Sequence, residues 1–135
     1  MQTSKQIYTK TQVVRIEDID ALQHVNNVVY VQWIQDVANE HWSYLTEKYS
    51  EFKEVLWVVR RHEIEYLGQA KLNDQVTIST WIGTSNKARS IRHVEIFNNN
   101  QLIVKAQTTW CMLTAKTFTF SRIPESILKL LEAAK

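Results

Sequence analysis

Glycine is scarce in this chain of 135 residues, which holds two, Gly68 and Gly83, together with one proline, Pro124, and one cysteine, Cys111. Ordinary usage near 7% would give roughly nine glycines. Two isolated glycines build no phosphate-cradling loop, which excludes the Walker and GxGxxG classes of nucleotide site. The GxSxG nucleophile elbow is missing, and no histidines and cysteines cluster at metal-ligand spacing, so neither a metal nor a cofactor is expected. A lone cysteine forms no intrachain disulfide and fits a reducing compartment, so a cytoplasmic location is expected. Long hydrophobic runs are also missing. The most apolar stretch, residues 28–45, is interrupted by Gln32, Gln35, Asp36, Asn39, Glu40 and His41, and is too polar to span a bilayer. The polar start Met1-Gln2-Thr3-Ser4-Lys5 is followed by no apolar segment of the kind a signal peptide needs, so no membrane partner is expected. Sixteen basic residues against fourteen acidic ones leave +2, too weak a charge to imply a nucleic-acid partner.

What is present is ordinary globular material, 44% apolar and 22% charged. Such a chain has the apolar surface to offset its ordering entropy. Its length suits one domain, residues 1–135, needing no metal or disulfide staple. Residues 6–15 read as a first strand, and a polar segment, 17–27, follows. Residues 28–49 then carry Val31, Ile34, Ala38, Trp42, Leu45 and Tyr49 at steps of three and four, which predicts one long helix. Tyr30, Trp33, Val37 and Tyr44 widen that stripe enough to suggest a wrapped helix.

After residue 49 the period changes to two. Strands are predicted over 57–67, 75–84, 88–97 and 102–113, with a short last one within 118–122. The run Asn98-Asn99-Asn100 reads as a hairpin turn, because asparagine tolerates the left-handed conformation that glycine would otherwise supply. Pro124 is placed at the first position of a terminal helix whose apolar side is Ile127, Leu128, Leu130 and Leu131. The sum is an α+β fold, a curved antiparallel sheet of five or six strands wrapped around one long central helix. Its open sheet edges predict a homodimer or a dimer of dimers.

The chemistry concentrates in residues 15–30, where Asp18, Asp20, His24, Asn26 and Asn27 precede the helix. A helix start carries free backbone N–H groups and partial positive charge. Those at Val28 and Val29 can polarise a carbonyl and hold an oxyanion. Asp20, a few residues upstream, can supply a general base or a nucleophile to the same carbonyl. A thioester suits so small a kit, because its thiolate leaves without a strong general acid. The structural reading of the same residues is simpler. Asn26 or Asn27 is a helix N-cap, Asp18 and Asp20 are turn residues bonded to nearby backbone amides, and His24 is a loop histidine.

Asp18-Ile19-Asp20 running through His24-Val25-Asn26-Asn27-Val28-Val29-Tyr30 resembles the signature of the hotdog-fold thioesterases, the 4-hydroxybenzoyl-CoA thioesterase superfamily. It is most similar to the H-V-N-N-x-x-Y form of the acyl-acyl-carrier-protein thioesterases. Glu63-Ile64-Glu65-Tyr66-Leu67, Asn73-Asp74 and the Ile123-Pro124-Glu125 ending extend the likeness over nearly the whole chain. The resemblance implies a hotdog fold and acyl-CoA or acyl-carrier-protein hydrolysis in fatty acid metabolism. It implies Asp20 as the catalytic carboxylate and His24 as a second catalytic residue, with Asn27 at the position where another branch has histidine. Gln23 stands where many members have glycine, Leu22 where the carrier-protein branch has asparagine, and Gln69 where that branch has an acid.

An acyl-pantetheine substrate needs an apolar tunnel and, for CoA, phosphate partners. Tyr30, Trp33 and Val37 are candidates for the tunnel wall, with core packing as the alternative. Lys87, Arg89 and Arg92 are candidates for the phosphates or for an acidic carrier protein, with a solvated edge as the alternative. Arg60-Arg61-His62 is a second basic cluster. Glu63 and Glu65 are expected to face solvent or a partner, and Cys111 to pack as a small apolar residue. Two rival readings are a hotdog protein that binds acyl thioesters or assembles without catalysis, and an unrelated α+β ligand-binding domain. A hotdog dehydratase is disfavoured because no His-Phe-Pro-type loop is present.

Overall fold

Alternating burial is the mark of two adjacent strands in the middle of this chain. From Val76 to Ile82, within Gln75–Ser85, and from Ser90 to Ile96, within Ser90–Asn98, every second side chain is buried, and the two segments pair as adjacent antiparallel strands. The structure, a computed structural model, describes residues 5–135. Along the chain come β1 (Tyr8–Val13), α1 (Asn27–Thr46), β2 (Leu56–Tyr66), β3 (Gln75–Ser85), β4 (Ser90–Asn98), β5 (Gln101–Leu113), β6 (Phe120–Ser121) and α2 (Glu125–Ala133). The strands form one antiparallel sheet in the order β1-β3-β4-β5-β2, and β6 pairs with the end of β5. This is the expected α+β arrangement.

The core lies between α1 and the sheet. Val14, Val25, Tyr30, Trp33, Ile34 and Val37 meet Val76, Ile78, Val94, Ile96, Ile103 and Val104 there. A second cluster joins α2 to the other end, where Ile123, Ile127 and Leu131 pack with Ile82 and Met112. The apolar stripe of α1 is narrower than the sequence suggests. Tyr44 is 60% exposed, and Gln32, Asn39, Glu40 and Ser43 face out. Within the chain α1 is therefore covered on one side rather than all round.

Local chemistry explains where the elements begin and end. Asn26 caps α1, so the helix starts at Asn27. Pro124 has ψ 157, outside the helical range, so it is the cap of α2 and not its first residue. Asn99 and Asn100 have φ 50 and 65, the paired left-handed values of a two-residue hairpin turn. The expected last strand shrinks to two residues because Thr114, Thr117 and Thr119 bond their hydroxyls to one another across a turn, with Phe118 at φ 53. Neither glycine has positive φ; a Cβ on Gly83 would lie 2.7 Å from His93 Nε2, so this glycine admits a close neighbour.

Candidate functional site

Residues 15–26 fold back on themselves before α1 begins. Asp18 Oδ2 accepts from the Arg15 amide at 2.9 Å, and its carbonyl accepts from Asn26 at 2.9 Å. Ile19 and Val25 form an isolated antiparallel bridge. Inside that bridge the Asp20 amide donates to the His24 carbonyl at 2.8 Å. Asp20 Oδ1 accepts from the amides of Leu22 at 2.9 Å and His24 at 3.3 Å. The turn reverses at Gln23, whose φ of 67 explains why glycine suits this place in the family pattern. The turn role foreseen for both aspartates is thus present, while Asp20 Oδ2 accepts no hydrogen bond among the described residues. Asp20 and His24 are both half-buried.

Two contacts tie this loop to the segment after β2. The Val25 amide donates to the Ala70 carbonyl at 3.0 Å, and the Ala70 amide donates to the Tyr30 hydroxyl at 3.2 Å. The loop, the start of α1 and residues 66–74 are thereby held as one unit.

At the helix start the amides are unequal. Asn26 Oδ1 accepts from Val28 at 3.0 Å, and the Asn26 carbonyl accepts from Val29 at 2.9 Å. The two amides expected to hold an oxyanion are therefore already engaged. Asn26, not Asn27, is the cap. The Asn27 amide donates to no acceptor among the described residues. Asn27 lines a groove of about 480 Å³ with Tyr66, Leu67, Gly68 and Gln69. Gln69, noted in the sequence only as the place of a family acid, lies beside Asn27 here. Tyr66, Leu67 and Gly68 were not foreseen as site residues; they come from the end of a strand some forty residues from Asn27, and no local pattern marks them.

The proposed tunnel wall is core instead. Tyr30 is 2% exposed, Trp33 6% and Val37 0%, and all three belong to the main apolar cluster. Tyr30 and Trp33 meet edge to face at 5.5 Å. Burial also pushes the Tyr30 hydroxyl up from its ordinary pKa. These side chains point inward because the sheet needs cover, which leaves them no free face toward the groove.

The basic residues divide differently from the sequence reading. Lys87 and Arg89 are exposed on the β3–β4 turn, where Asn86 Oδ1 accepts from the amides of Ala88 and Arg89. Lys87 shares a groove of about 500 Å³ with Arg60, Arg122 and Phe120, so Lys87 meets the other basic cluster across space. Arg122 was missed; the pairing of β6 with β5 and the bond from the Ile123 amide to the Lys87 carbonyl bring it there. Arg92 is no phosphate contact. It is buried under α1, where His41 Nδ1 accepts from its Nη1 at 2.7 Å and Thr80 Oγ1 at 3.2 Å. Burial lowers its pKa to about 10, leaving it cationic at neutral pH. Burial, and secondly the Arg92 charge, lowers His41 to about 4. Among the described residues no group of three or more His, Cys, Asp or Glu side chains is placed to hold a metal, and no helix is long and apolar enough to cross a membrane.

Several solved structures share this architecture. A predicted thioesterase from Bacillus stearothermophilus superposes with a TM-score of 0.84 at 23% identity, covering 95% of this chain and 96% of that one. The 12:0-ACP thioesterase from Umbellularia californica gives 0.80 at 15% identity, covering 96% of this chain and 50% of that one. These likenesses establish the hotdog fold. In sequence the chain is 25% identical over 114 residues to a chloroplastic palmitoyl-acyl carrier protein thioesterase of Cuphea hookeriana, covering 83% of this chain and 25% of that protein. A chloroplastic acyl-[acyl-carrier-protein] hydrolase of Cuphea viscosissima is 25% identical over 77 residues, 56% of this chain and 19% of the relative. The chain thus spans a quarter or less of the length of these curated relatives. Residues 5–131 match the family described as acyl-ACP thioesterase N-terminal domain, and with that match over nearly its whole length the chain belongs to this family.

Proposed function

We propose that this protein hydrolyses acyl thioesters of coenzyme A or acyl carrier protein at the start of α1. The observation that carries the reading is the unengaged Asn27 amide at the N-terminus of α1, on a residue that lines a groove, together with an Asp20 carboxylate oxygen that accepts no hydrogen bond among the described residues on the clamped loop before it. In this mechanism the Asn27 N–H and the positive end of α1 stabilise the oxyanion. Val28 and Val29 contribute through the helix dipole, because Asn26 holds their amides. Asp20 Oδ2 takes a proton from the attacking water or attacks the carbonyl itself, and His24 orients the carboxylate or the thioester. Arg60, Lys87 and Arg122 offer cations to CoA phosphates or to an acidic carrier protein, with Arg89 on the neighbouring turn. A second copy of the chain suits the outer edge of β2, which pairs with no further strand among the described residues, and Cys111 suits a reducing cytoplasm.

Thiol release from a panel of acyl-CoAs and acyl-carrier-proteins tests this reading. Asp20→Asn keeps an acceptor for the Leu22 and His24 amides while removing the base, so a folded variant should lose at least ~100-fold of turnover. Undiminished turnover in that variant would overturn the role of Asp20. A second reading, a non-catalytic acyl-thioester binder, has one observation in its favour: Asp20 Oδ1 is fully used as a turn acceptor. Saturable acyl-CoA binding without thiol release distinguishes it.

A further inference from the structure

The groove beside Asn27 is laced shut toward the core. On its far wall the amides of Leu67 and Gly68 both donate to the Ile103 carbonyl, at 2.7 and 3.1 Å. Gly68 lies so close to β5 that a Cβ on it would stand 2.8 Å from Ile103 Cγ2. One residue beyond Gln69, the Ala70 amide donates to the Tyr30 hydroxyl and the Ala70 carbonyl accepts from the Val25 amide. Ile103, Tyr30 and Trp33 are buried and belong to the main apolar cluster. An alkyl chain enters that core only by breaking these hydrogen bonds and displacing close-packed side chains, and each broken bond leaves a backbone group without its partner.

What remains for an acyl chain is the open groove itself. Of its lining residues, Asn27, Tyr66, Leu67, Gly68 and Gln69, two offer large apolar surface, Tyr66 and Leu67, and both are exposed. From residue 66 to residue 69 there are three backbone steps, which span at most about 11 Å when fully extended. An extended alkyl chain advances about 1.2 Å per bond on comparable covalent geometry. About eight carbons, counted from a carbonyl at Asn27, therefore run the length of the groove, and the rest of a sixteen-carbon chain overhangs into water.

We propose that the site takes short acyl thioesters, of up to about eight carbons, and gains nothing from a longer chain. Leu67 and Tyr66 are the wall that reads the chain, and the contact of Gly68 with Ile103 closes the way inward. The inference rests on the proposed hydrolysis and names its substrate class. Each methylene moved from water into apolar surroundings tightens binding about fourfold. A chain covered over all sixteen carbons would thus outdo an eight-carbon one by more than about a thousandfold, whereas an overhanging tail stays hydrated and adds nothing.

Thiol release from acetyl-, butyryl-, hexanoyl-, octanoyl-, lauroyl- and palmitoyl-CoA, each below its micelle-forming concentration, tests the limit. The value of kcat/KM should climb to about octanoyl and stop there, with palmitoyl-CoA no more than about threefold better than octanoyl-CoA, less than one buried methylene is worth. A larger advantage overturns the proposal, since a long chain then finds cover, in an opened core or against a second copy. Leu67→Ser, at an exposed position, should lower the octanoyl-to-acetyl ratio of kcat/KM at least about fivefold, and a general loss of folded enzyme leaves that ratio alone. A smaller change in the ratio also overturns the proposal. Palmitoyl preference with thiol release intact refutes this inference alone. Thiol release from none of the esters refutes the hydrolase. The thioethers S-octyl-CoA and S-hexadecyl-CoA, which cannot be hydrolysed, then face the same threefold criterion in a binding titration, and binding of neither overturns both readings.

Discussion

Arg92 Nη1 lies 2.7 Å from His41 Nδ1, both residues are buried, and the Tyr8 ring stacks on His41 at 5.1 Å. A guanidinium only donates, so His41 must accept at Nδ1 and carry its proton on Nε2. The imidazole is therefore neutral in the folded chain, in line with a pKa lowered to about 4 from 6.5.

A stability profile follows from that pair. The unfolded chain takes up this proton near pH 6.5 and the folded chain only near 4, so between these values the unfolded state binds more protons. The contribution of His41 is complete above about pH 6.5, declines as pH falls through the window, and is exhausted below about 4. Its full size is on the order of 3 kcal/mol. Urea midpoints between pH 7 and 4 should fall accordingly. His41→Gln, which keeps an acceptor for Arg92 and does not titrate, should flatten the profile; an equally steep one would show that other groups govern acid sensitivity.

Asn26 controls how α1 begins. Its side chain holds the Val28 amide at 3.0 Å, and Asn26→Ala should cost about 1 kcal/mol by removing that cap. Asn26→Asp should stay close to wild type, because a carboxylate at a helix N-terminus accepts the same bond and meets the dipole favourably. Thermal or urea unfolding of the two variants checks the contrast, and equal losses would mean that the cap contributes little here.

These caps and turns mark the parts of the molecule that were legible in sequence. Asparagine in Asn98-Asn99-Asn100 and the period-two burial of β3 and β4 are local signals, and the strands follow them closely. The loop residues Asp20, His24 and Asn26 could be singled out because turn and cap chemistry is written within a few positions. What was not legible depends on distance along the chain. Arg92 looked like a surface cation, because its partner His41 lies on a helix fifty-one residues earlier. Tyr30 and Trp33 looked free to line a tunnel until the sheet closed over them. The groove at Asn27 needs the end of β2, and no spacing rule connects the two.

Gln23 carries backbone strain where the loop reverses. At φ 67 a side chain is crowded against its own backbone, at a cost of about 1–2 kcal/mol for an L residue. Gln23→Gly relieves that strain but gives the unfolded chain more freedom, which takes back about 0.5–1 kcal/mol. A net gain of up to about 1 kcal/mol in urea unfolding is expected. Gln23→Val should instead destabilise, since a β-branched side chain tolerates this conformation poorly. A Gln23→Gly chain clearly less stable than wild type would mean that the glutamine side chain makes a contact outweighing the strain.

Tyr30 joins the helix start to the far wall of the groove through one hydrogen bond, from the Ala70 amide at 3.2 Å. Tyr30→Phe keeps the ring and its edge-to-face contact with Trp33 but leaves the buried Ala70 N–H without an acceptor. Stranding a buried donor costs about 1–3 kcal/mol, so unfolding should shift by that amount. The loss should be local as well as global. Hydrogen exchange at the Ala70 amide should accelerate more than at Val104, in the middle of the sheet, because residues 66–74 then open without full unfolding. If thiol release requires Asn27 and Gln69 to face each other across the groove, KM should rise while the strands keep their protection. Uniform acceleration across the sheet would instead make Tyr30 a core residue with no particular hold on the groove.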